Sequence, residues 1–99
     1  MADLTGSATQ RRHDPRHKMF GPVALRTGDI AFRAHFLDLS CSGALAHSET
    51  PPTDGASLTV EALGLEARGR VIWINGKRFG IQFNTPLTPA MMTRWIEGR

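Results

Sequence analysis

The sequence is poor in the features that most chemistry requires. It has one cysteine, Cys41, so no internal disulfide can form, and such sparse cysteine fits a reducing compartment. No run approaches the roughly 20 consecutive apolar residues that cross a bilayer, so membrane insertion is not expected. The first ten residues, MADLTGSATQ, lack the apolar stretch of a signal peptide and point to a cytoplasmic protein. No G-x-x-x-x-G-K-S phosphate loop occurs, and neither Ser40 nor Ser42 sits in a G-x-S-x-G elbow. His13 and His17 are four apart, but Pro15 between them opposes the helix that would align them on a metal. His35 and His47 are isolated, and Cys41 reads as a small turn residue. With no acid–base pair, nucleophile or metal cluster in view, no enzyme is expected. At 99 residues there is room for one domain only.

Against these absences stands one concentrated charge. The chain carries +3 overall, and RRHDPRHK over 11–18 carries all of it, because the remaining eight basic and eight acidic residues cancel. A neutral body with a basic arm suggests a local anion site, although a merely solvated tail has the same composition.

Residues 1–10 are small and polar and read as a disordered leader, with the arm following over 11–20. From Val23 the apolar pattern has period two. Val23 and Leu25 mark a short strand that ends at a Thr27–Gly28–Asp29 turn. Ile30, Phe32, Ala34 and Phe36 mark the next. A loop over 38–43 precedes a short apolar piece from Ala44, and 49–56 (ETPPTDGA) reads as a surface connection. Leu58 and Val60 begin another strand, with a reversal at Leu63–Gly64–Leu65. Asn75–Gly76 signals a hairpin of type I′, which asks for positive φ at both central residues. Phe79, Ile81 and Phe83 share a core face. The period then changes: Thr88 caps, Pro89 opens, and Met91, Met92, Trp95 and Ile96 give the apolar stripe of a helix over 88–97. Five to seven short strands and one helix indicate an all-β antiparallel barrel, over 21–85, with a helical lid or plug.

Two clusters carry recognisable chemistry. Arg12 and Arg16 are four apart on the arm, where Pro15 favours extended geometry. A guanidinium offers paired donors that match a phosphate or the O6/N7 edge of guanine. Asp38, Ser40 and Gly43 form the second cluster, at the end of the most strongly alternating strand. Asp38 can accept N–H donors, Ser40 offers a hydroxyl, and Gly43 permits close approach of backbone. A plain Asx/Ser turn, with the glycine at positive φ, is the competing reading of this cluster alone.

Taken together, Arg12-x-x-x-Arg16 and Asp38-x-Ser40-x-x-Gly43 resemble the signature of the PilZ domain family, receptors for cyclic di-GMP. Arg11–Arg12, Pro15, Gly69–Arg70–Val71–Ile72–Trp73 and Phe79–Gly80–Ile81–Gln82–Phe83 extend the likeness over about residues 10–85. The resemblance implies a six-stranded antiparallel β-barrel with a short C-terminal helix and a flexible N-terminal arm. It further implies that Arg12 and Arg16 grip guanine edges and phosphates, that Arg11 adds a third contact, and that Asp38, Ser40 and Gly43 line the base pocket. Trp73 either packs beside the ligand or belongs to the core. The same resemblance implies a downstream protein partner. A PilZ-like adaptor without nucleotide binding and a basic-armed nucleic-acid binder are the rival readings. The second is weakened by a neutral body that lacks interleaved aromatic and basic residues.

Overall fold

A computed structural model describes residues 16–98 of the chain. The polar leader over 1–10 and the arm residues Arg11 and Arg12 lie outside the described residues. Six strands succeed one another: β1 (His17–Thr27), β2 (Ile30–Leu39), β3 (Gly43–His47), β4 (Ser57–Ala62), β5 (Leu65–Asn75) and β6 (Arg78–Phe83). They close into a barrel in the order β1-β2-β3-β6-β5-β4, with every neighbouring pair antiparallel. Among the described residues one helix, α1 (Pro89–Glu97), follows the strands.

Alternation explains the core. Leu25, Phe36, Val60, Val71, Phe79 and Ile81 point inward and are almost wholly buried, each worth about 1.5–3 kcal/mol of apolar burial. Helix α1 is too short to be stable alone and depends on docking. Its Trp95 reaches the core against Phe36 and Phe83, with ring centroids 6.0 and 6.4 Å away, and donates its indole N–H to the Ala62 carbonyl at 3.0 Å. Thr88 caps the N-terminus by accepting from the Met91 amide, Pro89 occupies the first turn, and Gly98 ends the helix at φ 77°.

Two details differ from the sequence expectations. Strand β1 begins at His17, so residues 17–20 of the expected arm are already strand. Within it only Met19 is half-buried, packed against the core, while His17, Lys18 and Phe20 are exposed; it pairs only with β2, and contact with β4 starts at Ala24. Pro22 is tolerated there, since the missing N–H has no partner strand to serve on that side. The second difference is the last hairpin. Asn75 pairs with Arg78 in the ladder, so the turn centres on Gly76–Lys77. Positive φ falls on Gly76 alone of these two, the type II′ pattern, and Asn75 is spent on strand pairing.

The reversal between β4 and β5 does take positive φ at both central residues, Leu63 at 54° and Gly64 at 77°. Among the described residues Leu63 is the only non-glycine so placed. Leucine is poorly suited to this region, whereas asparagine adopts it readily. Leu63→Asn is therefore expected to stabilise the fold by about 1 kcal/mol. In a thermal melt this should read as a Tm increase of roughly 4–8 °C.

Candidate functional site

Two strand irregularities decide which side chains face outward. Strict alternation from Phe36 would turn Asp38 into the barrel. A bulge lies between Phe36 and Asp38 in the pairing of β2 with β3, so that Leu37 is the extra residue and Asp38 emerges on the outer face. Strand β5 repeats the device. Between Val71 and Trp73 its register against β6 slips by one, Ile72 is the extra residue, and Trp73 points outward although Val71 points in. Trp73 is accordingly 40% exposed and Ile72 48% exposed, which excludes the core role for Trp73.

The registers place these residues in one transverse row. Lys18 pairs with Asp38, Asp38 with Leu45, Leu45 with Gly80, and Gly80 with Trp73. Three inter-strand steps separate Asp38 from Trp73, about 14 Å at the usual spacing. Gly80 matters within the row because a β-carbon there would lie 2.6 Å from Cε2 and 2.8 Å from Cδ1 of Trp73. The indole is seated over a bare backbone. Sequence reasoning missed Gly80 as a site residue, although a glycine inside a strand is a known mark of close approach.

Arg16 arrives from the chain just before β1. Its Nη1 stands 3.5 Å from Oδ1 of Asp38, so one residue from each sequence cluster meets the other in space. That oxygen is shielded from solvent and makes no hydrogen bond. The guanidinium itself is largely exposed, which keeps the ion pair worth no more than about 1 kcal/mol and easily exchanged. A groove of about 410 Å³ opens beside the pair, lined by Arg16, Ser42, Gly43, Trp73 and Gln82 among others.

The loop 40–42 holds its shape through its own bonds. Ser40 is only 1% exposed, and its hydroxyl bonds the amide and carbonyl of Gly43, both at 3.2 Å. Its amide also donates to the Gly43 carbonyl at 2.8 Å. The Ser42 carbonyl accepts from Phe83 and the Cys41 carbonyl from Leu87, which ties the loop to β6 and to the approach of α1. Ser40 thus acts on the loop's geometry, from below the surface. Gly43 does not take positive φ, contrary to the turn reading. A β-carbon there would collide with the Ile81 carbonyl oxygen of β6.

The sequence model of the PilZ domain matches residues 10–98. The chain belongs to the PilZ domain family. Among solved structures it is similar to that of the Borreliella burgdorferi PlzA protein in complex with c-di-GMP, with a TM-score of 0.68 and 20% sequence identity. That likeness covers 97% of this chain and 43% of PlzA, so the chain spans less than half of its structural neighbour. No curated protein matches the chain. Among the described residues no helix is long and apolar enough to cross a membrane, and no cluster of ligating side chains could hold a metal ion.

Within this PilZ barrel the Trp73–Gly80 contact makes a direct prediction. Gly80→Ala should lift the indole off β6 while leaving Trp95 in the core. In ¹⁹F-tryptophan NMR one of the two resonances is expected to shift and broaden and the other to stay. Two unchanged resonances would show that the outer-face seat does not depend on the missing β-carbon.

Proposed function

We propose that this chain is a cyclic di-GMP receptor that binds the dinucleotide on the outer face of its barrel, between the arm and Trp73. The observation that carries the reading is the meeting of Arg16 with Asp38 beside a groove that Gly43 and Trp73 also line. Membership of the PilZ family and the c-di-GMP bound by PlzA support it.

The ligand presents two guanines and two phosphates, and the chemistry available matches each. Arg16 exchanges its loose pair with Asp38 for the O6/N7 edge of a guanine or a phosphate, in a bidentate geometry that lysine cannot copy. Asp38, freed of the arginine, turns its unbonded Oδ1 to guanine N–H donors. Gly43 brings loop backbone close to the base, Ser40 keeps the loop in that shape, and Trp73 offers a flat apolar surface to a ring. Arg11 and Arg12 add further charge-assisted bonds from the arm. Ordering the arm costs about 1–2 kcal/mol per residue, which several such bonds at about 1.5–3 kcal/mol each can offset. The change in the arm then presents an altered surface to a protein partner, in the cytoplasm. No bond is made or broken in the ligand by this arrangement, which is that of a receptor and not of an enzyme.

Isothermal titration of the protein with cyclic di-GMP, run beside single-stranded DNA, tests the reading. Binding of the dinucleotide in the micromolar range or tighter, about −8 kcal/mol or better, is expected, with no comparable heat from DNA. No saturable heat from cyclic di-GMP would overturn it.

A further inference from the structure

A second and larger concavity, about 520 Å³, lies on the adjoining stretch of the outer sheet. Its volume is within the range of about 300–1,000 Å³ that ligand sites occupy. His35 and His47, cross-strand partners on β2 and β3, contribute to it, as do Phe20, Leu37, Arg33 and Arg78. None of these residues belongs to the proposed nucleotide site.

Two properties distinguish this groove. The first is an apolar grip in open solvent. Phe20 is 73% exposed, yet its ring lies parallel to the His35 imidazole, with centroids 4.5 Å apart and planes 9° from each other. It stands in the irregular stretch of β1, where the register against β2 shifts between Lys18 and Gly21. The second property is uncommitted positive charge. Arg16, Arg26 and Lys77 each have a carboxylate within ion-pair distance, whereas Arg33 and Arg78 have none among the described residues. The one carboxylate that lines the groove among the described residues, Glu49, is bonded to Lys77 at 2.6 Å. That bond and the lysine's charge hold its carboxyl below the ordinary glutamate range. The surface therefore pairs exposed apolar contact with net positive charge.

We infer that this groove docks an acidic peptide segment with an apolar anchor, supplied by a partner protein. The anchor packs on Phe20 and Leu37, and the acidic side chains pair with Arg33 and Arg78. Charge complementarity favours this occupant over a second copy of the chain, which itself carries +3. A nucleic-acid strand fits less well, because the stacked rings of Phe20 and His35 already cover one another and among the described residues of the groove leave no run of platforms for successive bases. Both sites draw on the start of β1, Arg16 for one and Phe20 for the other, yet this inference does not require that the first site bind a nucleotide.

The test is fluorescence anisotropy with a fluorescein-labelled dodecapeptide of glutamates around two central leucines. The same peptide with lysine for glutamate and a labelled oligothymidine serve as comparisons. Saturable binding of the acidic peptide alone is expected, weakened about tenfold or more by Arg33→Glu with Arg78→Glu, and similarly by Phe20→Ala. The milder pair Arg33→Gln with Arg78→Gln should show an intermediate loss. Titration of the charge-reversed variant with cyclic di-GMP should match the wild type, which separates this site from the first. Amide shifts on peptide addition should centre on His35, Leu37 and His47. The inference is overturned by no saturation with the acidic peptide, by equal binding of the lysine peptide, by preference for the oligonucleotide, or by indifference to charge reversal.

Discussion

Arg16→Ala is expected to weaken cyclic di-GMP binding by about 100-fold, with little effect on the fold. A guanidinium that makes two charge-assisted hydrogen bonds contributes about 1.5–3 kcal/mol through each. Against that gain stands the pair it leaves, Nη1 to Asp38 Oδ1 at 3.5 Å, worth no more than about 1 kcal/mol on an exposed side chain. The net loss is about 3 kcal/mol, or two decades in the dissociation constant. Arg16→Lys should recover little of it, because an ammonium cannot present the paired donors that a guanine edge or phosphate accepts. Thermal stability should change by only a few degrees, since the pair removed lies at the surface. Calorimetry with cyclic di-GMP on the two variants and the wild type reads all of this. Wild-type affinity in Arg16→Ala would remove the arginine from the site and with it the role drawn for Asp38.

The parts of this fold that obey a period were legible in the sequence. Leu25, Phe36, Phe79, Ile81 and Phe83 alternate cleanly and are core, and the spacing of Met91, Met92, Trp95 and Ile96 marks the helix that seats Trp95. A period cannot show the place where it is broken. The extra residues Leu37 and Ile72 are ordinary strand residues, and nothing in their type marks a bulge. Each nonetheless inverts the facing of the residues C-terminal to it. That is why Trp73 stood between core and surface in the sequence and why Asp38 could be assigned a role but no direction. The start of β1 was hidden for a related reason: its register against β2 shifts between Lys18 and Gly21, and Met19 alone of residues 17–20 is half-buried, too little alternation to read. The turn at Gly76–Lys77 was displaced by one residue because Asn75 is taken up by the ladder, opposite Arg78. The motif residues themselves were recognisable, but their division of labour was not. Burial sets Ser40 beneath the loop, and burial belongs to the folded chain rather than to any motif.

The same division of labour gives Gly43 the largest expected effect on stability. Glycine is present at this position because β3 and β6 approach too closely for a side chain. Gly43 pairs with Gln82, and a β-carbon would be driven into the Ile81 carbonyl oxygen. The obstacle is backbone held in a closed barrel, so it cannot swing aside as a flexible side chain could. Gly43→Ala should therefore cost about 2–3 kcal/mol, the upper part of the range for overpacking. A melt followed by circular dichroism should show Tm lowered by roughly 10–20 °C. The damage should also reach the loop, because the Gly43 amide and carbonyl are the groups that Ser40 bonds. Ser40→Ala supplies the comparison: it removes those side-chain bonds without the collision, so it should cost only about 1 kcal/mol. If Gly43→Ala melts like the wild type, β6 yields where the closed register says it cannot. The loop that places Asp38 and Gly43 beside Arg16 would then be far less rigid than its bonds require.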